Sequence, residues 1–460
     1  MAKTNGGKDS LFIGVDIGGT KIQATLATPV GEKVKSQRVS TPREGGADLV
    51  VAAVLEAVHE VLKAEKLKPA DIQGVGVGVP GVTDFRRGEV IVTPNMPLGR
   101  FPLGPVLQRQ LGIPVYVEND CNLGTLGECW IGAGAGARSA FGIFVGTGIG
   151  GGFVRKRKIW RGARMAAGEV GHIVMQVGGP VCGCGNSGCL EALASRSAVE
   201  RDIRQAIQAG RESIVREWLQ EGTAVLRSKL LRNALEAGDS LVREVMQRAA
   251  EYIGYACLTV RHLLDPEVII LGGGVMEACG EFLLPVVQDI VAQDKLPGAG
   301  PSRGVVPSLL GDDAVVMGAV ALAAQQLGMK PFRQARLAQP IYPTLEVPEF
   351  GVIRVSGKTY SSDIYILADG RIRKRKKKLL KKFAGSSHLV TVDEVRFVCQ
   401  PKPEVLFVGI GHSSQMVLES GVEEFLASSG ITCHQLPTPK LPGAFNACGQ
   451  KKAAIVHVTC

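Results

Sequence analysis

Near its start the sequence lacks the apolar segment of a signal peptide or membrane anchor. Met1–Ser10 is polar, and the apolar run Leu11–Val15 is broken at once by Asp16, far short of the roughly 20 residues that a span needs. A cytoplasmic protein with no membrane attachment is therefore expected. Thiols stay reduced there, so the 11 cysteines need an explanation other than disulfides. No Gly-X-Y period runs through the 59 glycines, which excludes a collagen-like rod. No G-x-x-x-x-G-K-S/T occurs, so a Walker-type phosphate loop is not supported. The compositional bias of a disordered chain is missing too, with 45% of residues apolar and 21% charged.

What is present is length, glycine and an uneven charge. A chain of 460 residues exceeds one small core and suggests two to four domains. The glycine excess is expected in tight turns and in loops that approach a ligand. Residues 349–460 hold 16 Lys/Arg against 9 Asp/Glu, a net +7 of the total +10. Arg371–Lys382 alone supplies nine cations, and residues 1–348 are left with only +3.

The order of elements repeats. An apolar run, Leu11–Ile17, ends in Gly18-Gly19-Thr20 and is followed by strand-like runs at Ile22–Ala27 and Val34–Ser40. A helical pattern over Asp48–Ala64 puts Leu49, Ala52, Ala53, Val54, Ala57, Val58 and Val61 on one face. Ile72–Val79 and Pro114–Val117 follow as strands. Ala140–Val145 then ends in Gly146-Thr147-Gly148, and strands are expected at Gly152–Val154 and Lys158–Trp160. The second half closes with a helix over Ser240–Leu264, strands Val268–Leu271 and Val305–Leu310, and a helix over Asp313–Leu327. Two α/β lobes of common plan would set their glycine turns face to face across a cleft. Residues 329–348 read as a linker and residues 349–460 as a third unit, with a helix near Gln415–Ser428.

Asp16, Gly18, Gly19, Thr20 and Lys21 form one such turn; Gly146, Thr147, Gly148, Gly150 and Gly151 belong to the other. Backbone N–H groups there can meet a phosphate, glycine allows close approach, and each threonine adds a hydroxyl donor. Asp16 repels phosphate, and a Mg2+ ion would reconcile the two. Each turn alone is equally a plain β-hairpin turn; their matching places favour phosphate. Gly273 and Gly274, after Gly272, suit the nucleoside or a close helix–strand contact.

His172, Cys182, Cys184 and Cys189 fall within 18 residues, interspersed with glycines. Three thiolates and one imidazole make a closed tetrahedral set, so a structural Zn2+ is expected rather than a group of buried reduced cysteines. Such a clamp would immobilise Glu169 and Glu191, which then suit vicinal hydroxyls; otherwise they are solvated surface acids. Glu118-Asn119-Asp120-Cys121-Asn122 follows a strand. Phosphoryl transfer to an alcohol needs one carboxylate to take the hydroxyl proton, and Asp120 fits, with Asn119 orienting the acceptor. A helix N-cap role is compatible with this.

Residues 11–328 resemble the ROK family of sugar kinases, within the actin-like and hexokinase-like ATPases. The pieces are DIGGTK at 16–21, VPGVTD at 79–84, ENDCN at 118–122, GTGIGGG at 146–152, GEVGH at 168–172, CGCGNSGCLE at 182–191 and LGGG at 271–274. The resemblance implies a two-lobed, duplicated RNase H-like α/β fold, with lobes at 11–135 and 136–328. It implies ATP and Mg2+, transfer of the γ-phosphate to the 6-hydroxyl of a hexose (glucose first, with N-acetylmannosamine or fructose as alternatives), and a homo-oligomer, dimer or tetramer. Sugar contacts would come from Gly81, Asn95, Asn119, Asp120, Glu169, His172 and Glu191, with His172 shared between zinc and sugar. Two departures are Cys121, where the family often has Ala, and Arg100, where it often has Trp. A sugar-responsive binding protein without useful turnover is the competing reading. Family repressors carry a helix-turn-helix before the first strand; only about ten residues stand there in this sequence, so DNA binding by that route is not expected.

Residues 349–460 resemble the small Mth938-like domain through Tyr360-x-x-Asp363, Gly409-Ile410-Gly411, Asn446 and the ending His457-Val458-Thr459-Cys460. That implies a compact α/β fold with no settled chemistry and an unknown partner. Arg371–Lys382 lacks interleaved aromatics for base stacking, so a solvated basic loop is expected rather than a nucleic-acid site.

Overall fold

The computed structural model describes residues 10–42, 44–94, 96–220, 225–296, 298, 302–335, 342–368, 370, 372–375, 388–399, 402–413 and 415–458. Asn95 and residues 371 and 376–382 of the basic cluster lie outside the described residues. The chain divides into two units, Met1–Ala338 and Gln339–Cys460.

In the first unit, β1 (Leu11–Ile17), β2 (Lys21–Ala27) and β3 (Lys33–Ser40) form an antiparallel meander. After α1 (Gly46–Ala64), β4 (Ile72–Val79) joins β1 in parallel. A hairpin, β5 (Val82–Asp84) and β6 (Glu89–Val92), and α2 (Leu103–Leu111) precede β7 (Val115–Asn119) and α3 (Asp120–Ile131). The sheet order is β3-β2-β1-β4-β7. The plan then recurs with β8 (Ser139–Val145), β9 (Ile149–Arg155), β10 (Lys158–Ile159), α4 (Leu190–Ala194), α5 (Arg196–Gln208), α6 (Val215–Gln220), α7 (Ser228–Glu236), α8 (Ser240–Leu264), β11 (Val268–Gly272), α9 (Gly274–Ala292), β12 (Val305–Pro307) and α10 (Ala314–Gln326). Its sheet order, β10-β9-β8-β11-β12, repeats the first. The parallel strands β1, β4, β8 and β11 are buried almost throughout, which is why they read as apolar runs rather than as alternations.

Two helices lie between the sheets. α10 packs on β1 and β4, α3 packs on β8 and β9, and the two pack on each other. The contact is backbone to backbone. A Cβ on Gly318 would lie 1.8 Å from the Leu123 carbonyl oxygen, and one on Gly127 would lie 2.2 Å from that of Ala314. A Cβ on Gly14 would meet the Val316 oxygen at 1.9 Å, and one on Gly76 the Ala319 oxygen at 2.1 Å. Neither a backbone nor a buried helix can yield to such overlap. Gly318→Val is expected to destabilise the first unit by about 3 kcal/mol or more. Urea unfolding checks this; a midpoint within error of the parent would show that the helices can separate.

Four local expectations are corrected. On α1, Leu49 is 48% exposed and Ala52 is exposed, while Val50, Val51, Val54, Ala57, Val58, Val61 and Leu62 are buried. The buried stripe centres on Val50, Val54, Ala57 and Val61, and Leu49 and Ala52 fall on the solvent side of it. β12 stops at Pro307 and β10 stops before Trp160. In the segment read as a linker, Pro331–Gln334 forms a one-turn helix, α11, with Pro331 at its start.

The second unit centres on a sheet of β17 (Ile372–Lys374), β16 (Ile364–Ile366), β22 (Lys452–His457), β19 (Val405–Ile410) and β21 (Thr432–Leu436), in that order. Apolar clusters include Leu406, Val408 and Ile455 on one side, and Val405, Phe407 and Phe445 on the other. The helix expected near Gln415–Ser428 begins only at Val422, because β20 (Val417–Leu418) pairs with β18 (Leu389–Val390) and left-handed Gly421 follows.

Within the basic cluster, Arg373 and Lys374 are exposed but Arg375 is not solvated at all. Its side chain is buried, with Nε 2.8 Å from Glu394 Oε1 and Nη1 3.4 Å from Asp363 Oδ2. Asp363 also accepts from the Val458 N–H at 3.1 Å and lies 2.6 Å from His457 Nδ1. Thr438 Oγ1 donates to the His457 carbonyl and accepts from the Gly411 N–H, while Asn446 clasps both backbone groups of Leu345. Arg375→Met removes the guanidinium from two buried carboxylates and is expected to cost roughly 3–5 kcal/mol. Thermal unfolding of the full chain reads this as loss or downward shift of the second unit's transition; an unmoved transition would mean that the carboxylates find other partners.

Candidate active site

β4 ends at Val79, and Gly81 follows in a left-handed conformation (φ 93°). A Cβ there would sit 2.1 Å from the Val92 carbonyl oxygen, so only glycine fits beside β6. The Gly81 carbonyl accepts from Asn119 Nδ2 at 3.0 Å. Asn119 also caps α3, its Oδ1 accepting from the Asn122 N–H at 2.9 Å. Asp120 opens the helix and accepts from the Cys121 N–H at 2.8 Å. Burial holds the Asp120 carboxyl above the ordinary carboxylate range, against hydrogen bonds from Cys121 and Asn119 that lower it.

Beneath this segment lies a group that the sequence reading missed. Glu118 is 2% exposed and accepts from the Asn119 N–H (3.0 Å), from Asn122 Nδ2 (3.1 Å) and from Arg161 Nε (2.6 Å). The Arg161 guanidinium stacks 3.8 Å from the centre of the Phe85 ring. No local signal connects positions 118, 161 and 85.

Asp16 sits at the end of β1. Burial, and next the charge of Asp120, push its carboxyl up to about 7, although Lys21 pulls it down. Two desolvated carboxylates of like charge therefore face one space. A divalent cation would relieve both terms, so the residues present fit a Mg2+ site. Glu169 is raised by burial and by the charges of Asp120 and Glu191, while His172 lowers it. Asp16, Asp120, Glu169, His172 and Glu191 thus form one electrostatic neighbourhood.

The first glycine turn is closed by the Gly18 N–H donating to the Lys21 carbonyl (2.9 Å) and by Thr41 Oγ1 donating to the Gly18 carbonyl (2.6 Å). Gly19 has open space about it. Lys21 pairs with Asp312 at 2.7 Å, and Arg38 reaches the same carboxylate at 3.0 Å. In the second turn the Gly146 N–H donates to the Gly148 carbonyl (2.8 Å). The start of α5 braces it: Arg196 donates from its N–H to the Gly146 carbonyl (3.0 Å) and from Nη2 to Thr147 Oγ1 (3.2 Å), and Ser197 Oγ donates to the Thr147 carbonyl (2.9 Å). Arg196, Ser197 and Asp312 were not foreseen. Gly273 (φ 88°) caps α9, and a Cβ there would lie 2.6 Å from the Val145 carbonyl oxygen, so Gly273 and Gly274 join this turn. Gly150 and Gly151 lie inside β9 instead, where added Cβ atoms would meet Cys121 Sγ at 2.4 Å and the Gly168 carbonyl oxygen at 2.6 Å.

His172, Cys182, Cys184 and Cys189 do converge, their donor atoms all lying within 4.8 Å of one another. Cys182 Sγ is 3.7 Å from His172 Nδ1, and Cys184 Sγ is 3.7 Å from Cys189 Sγ. A tetrahedral Zn2+ with Zn–S near 2.3 Å has an S···S edge of about 3.8 Å, so the donor set fits that ion. Left-handed Gly185 and Gly188 turn the loop, and Leu190 N–H donates to the Ile173 carbonyl at 3.0 Å to close it. Glu191 then extends from α4 to the second glycine turn. Its Oε2 accepts from the Ile149 N–H at 2.9 Å, and a Cβ on Gly148 would lie 2.3 Å from that oxygen.

Against known proteins, residues 12–326 match the ROK family. The glucokinase of Halalkalibacterium halodurans is 35% identical over 320 residues, covering 69% of this chain and 96% of that protein. The xylose repressor of Caldicellulosiruptor bescii is 29% identical over 316 residues, covering 69% and 78%. A solved ROK family glucokinase from Streptomyces griseus, in complex with glucose and AMPPNP, is 32% identical, covers 69% of this chain and all of that one, and superposes with a TM-score of 0.60.

Proposed function

This chain belongs to the ROK family, and from that premise we propose that its first unit transfers the γ-phosphate of ATP to the 6-hydroxyl of a hexose, with glucose as the preferred acceptor. The observation that carries this is Asp120: a desolvated carboxylate at the first turn of α3, held by the Cys121 N–H and set beside Asp16, Glu169 and His172. A carboxylate so placed supports the kinase reading over that of a sugar-responsive regulator.

Asp120 takes the proton of the attacking hydroxyl. Asn119, fixed by the Gly81 carbonyl and by its own cap bond, orients that hydroxyl. Glu169, His172 and Glu191 bind the other hydroxyls. The turns at Gly18–Thr20 and Gly146–Gly148 present N–H and hydroxyl donors to the phosphates, and Gly273–Gly274 admits the nucleoside. Asp16 would hold Mg2+, which supplies charge neutralisation at the phosphates. His172, Cys182, Cys184 and Cys189 would hold a structural Zn2+, and the His172 ring nitrogen not used for it would remain for a sugar hydroxyl.

Lys21 is paired with Asp312, so its reach to phosphate requires that pair to open. The second unit reads as an Mth938-like domain, supported by the bonds of Asp363 to His457 and of Thr438 to both Gly411 and His457. ADP release measured over a panel of hexoses tests the proposal: turnover with glucose exceeding that with N-acetylmannosamine and fructose supports it. Sugar binding without ADP release from any of them would leave the regulator reading.

A further inference from the structure

The β9–β10 turn and the α10–α11 corner enclose a second cleft, of about 590 Å³. Six cations line it: Lys156, Arg157, Lys158, Arg161, Lys330 and Arg333, with no carboxylate among the lining residues. Of these six only Arg161 has a carboxylate partner among the described residues. The other five stand exposed around one concavity, an arrangement that focuses a positive potential and repels itself until an anion arrives.

The cleft is built rather than incidental. Lys156 and Arg157 occupy the two turn positions with φ of 52° and 66°, a left-handed pair where Asn-Gly would be the relaxed choice. The turn is latched to α10 by Gln325 Nε2 donating to the Arg157 carbonyl at 2.8 Å. Apolar side chains of Leu322, Met329 and Phe332 complete the lining. A concave, part-apolar pocket of this size suits a small molecule better than the flat, extended track of a polyanion.

Arg161 also belongs to the scaffold beneath the acceptor segment, through its 2.6 Å bond to Glu118. A phosphate group in the cleft competes for that guanidinium. Glu118 is almost fully buried and would then lose its only cation among the described residues, loosening the anchor of Asn119 and Asn122.

We propose that this cleft binds a small phosphorylated metabolite, and that occupancy weakens sugar binding through Arg161 and Glu118. The second clause rests on the reading of Asn119 and Asp120 as the acceptor site; the first does not. The phosphate can come from a sugar phosphate, including the reaction's own product class, or from an inorganic oligophosphate.

Calorimetric titration of the full chain at low salt, with hexose 6-phosphate, inorganic tripolyphosphate and sulfate in separate arms, reads the binding directly. One of the two phosphate compounds is expected to bind at least tenfold more tightly than sulfate, and which one names the source. Lys158→Glu combined with Arg333→Glu should weaken that binding at least tenfold while leaving Tm and ligand-free turnover unchanged. Phosphate binding at the kinase cleft would survive in this variant. Saturating ligand should raise the sugar KM at least threefold in the parent and not in the variant. Equal binding by parent and variant would overturn the site, as would tighter binding of a single-stranded oligonucleotide than of either small phosphate. Site-specific binding with an unmoved KM would overturn the Arg161 coupling alone. If no hexose were turned over, the titrations would still decide the site.

Discussion

Asp120→Asn should reduce kcat by roughly 10²- to 10⁴-fold, the range expected when a general base is removed, while changing hexose affinity no more than a few-fold. The asparagine keeps an oxygen for the Cys121 N–H that Asp120 accepts at 2.8 Å, so the start of α3 should hold its geometry. It also removes the negative charge that helps push Asp16 upward, so Asp16 should titrate lower in the variant. Stability should not fall, because a desolvated carboxylate is being replaced by a neutral isostere. Three readouts together check the assignment: ADP release, direct sugar binding and Tm. Turnover within threefold of the parent would remove Asp120 from the role of base. Loss of sugar binding in step with turnover would make it a binding residue instead.

Removal of the proposed zinc should have the second large effect. Cys189 is fully buried, and its neighbour Leu190 closes the loop onto Ile173. Cys189→Ala, or extraction of the metal from the parent by a strong chelator, should release one equivalent of zinc and lower Tm by at least 10 °C, on the order of several kcal/mol for a structural site. The sugar KM should rise at least tenfold, because Glu191 lies two residues beyond Cys189 and His172 is itself a donor in the cluster. Glu191→Gln separates the two consequences. It should retain zinc and nearly all of the Tm, since an amide oxygen can still accept from the Ile149 N–H, yet lose sugar affinity because the carboxylate's charge and second acceptor oxygen are gone. Metal analysis, thermal unfolding and steady-state kinetics on the same samples decide it. A chelated protein with unchanged Tm and KM would show that the four side chains converge for some other reason.

Much of this was legible beforehand for a simple reason. Strands buried on both faces must be apolar for their whole length, so β1, β4, β8 and β11 could be read directly. Turns that bring backbone close to a partner need glycine, so Gly81 and Gly273 marked themselves. Four soft donors within 18 residues can hardly avoid one another once glycines let the chain bend. Errors arose where one local preference met another element. On α1, Leu49 and Ala52 fit an apolar pattern but face solvent, because the helix packs on β2 and β3 through the stripe around Val50, Val54 and Val61. Arg375 was counted into a solvated basic run, although two acids distant in sequence, Asp363 and Glu394, draw it inside.

The amino-acid order by itself determined the duplicated α/β plan, the two glycine turns, the cysteine-rich cluster and Asp120 as the carboxylate of interest, since each is encoded within a short stretch. Tertiary structure decided what surrounds them. Only the folded chain sets Asp16 beside Asp120, aims Glu191 at the Gly146–Gly148 turn, slips Arg161 under Glu118 and gathers five exposed cations around one cleft. Those relations join residues tens to hundreds of positions apart. Their energies depend on distance and burial, which exist only after α3 and α10 have brought the two sheets together.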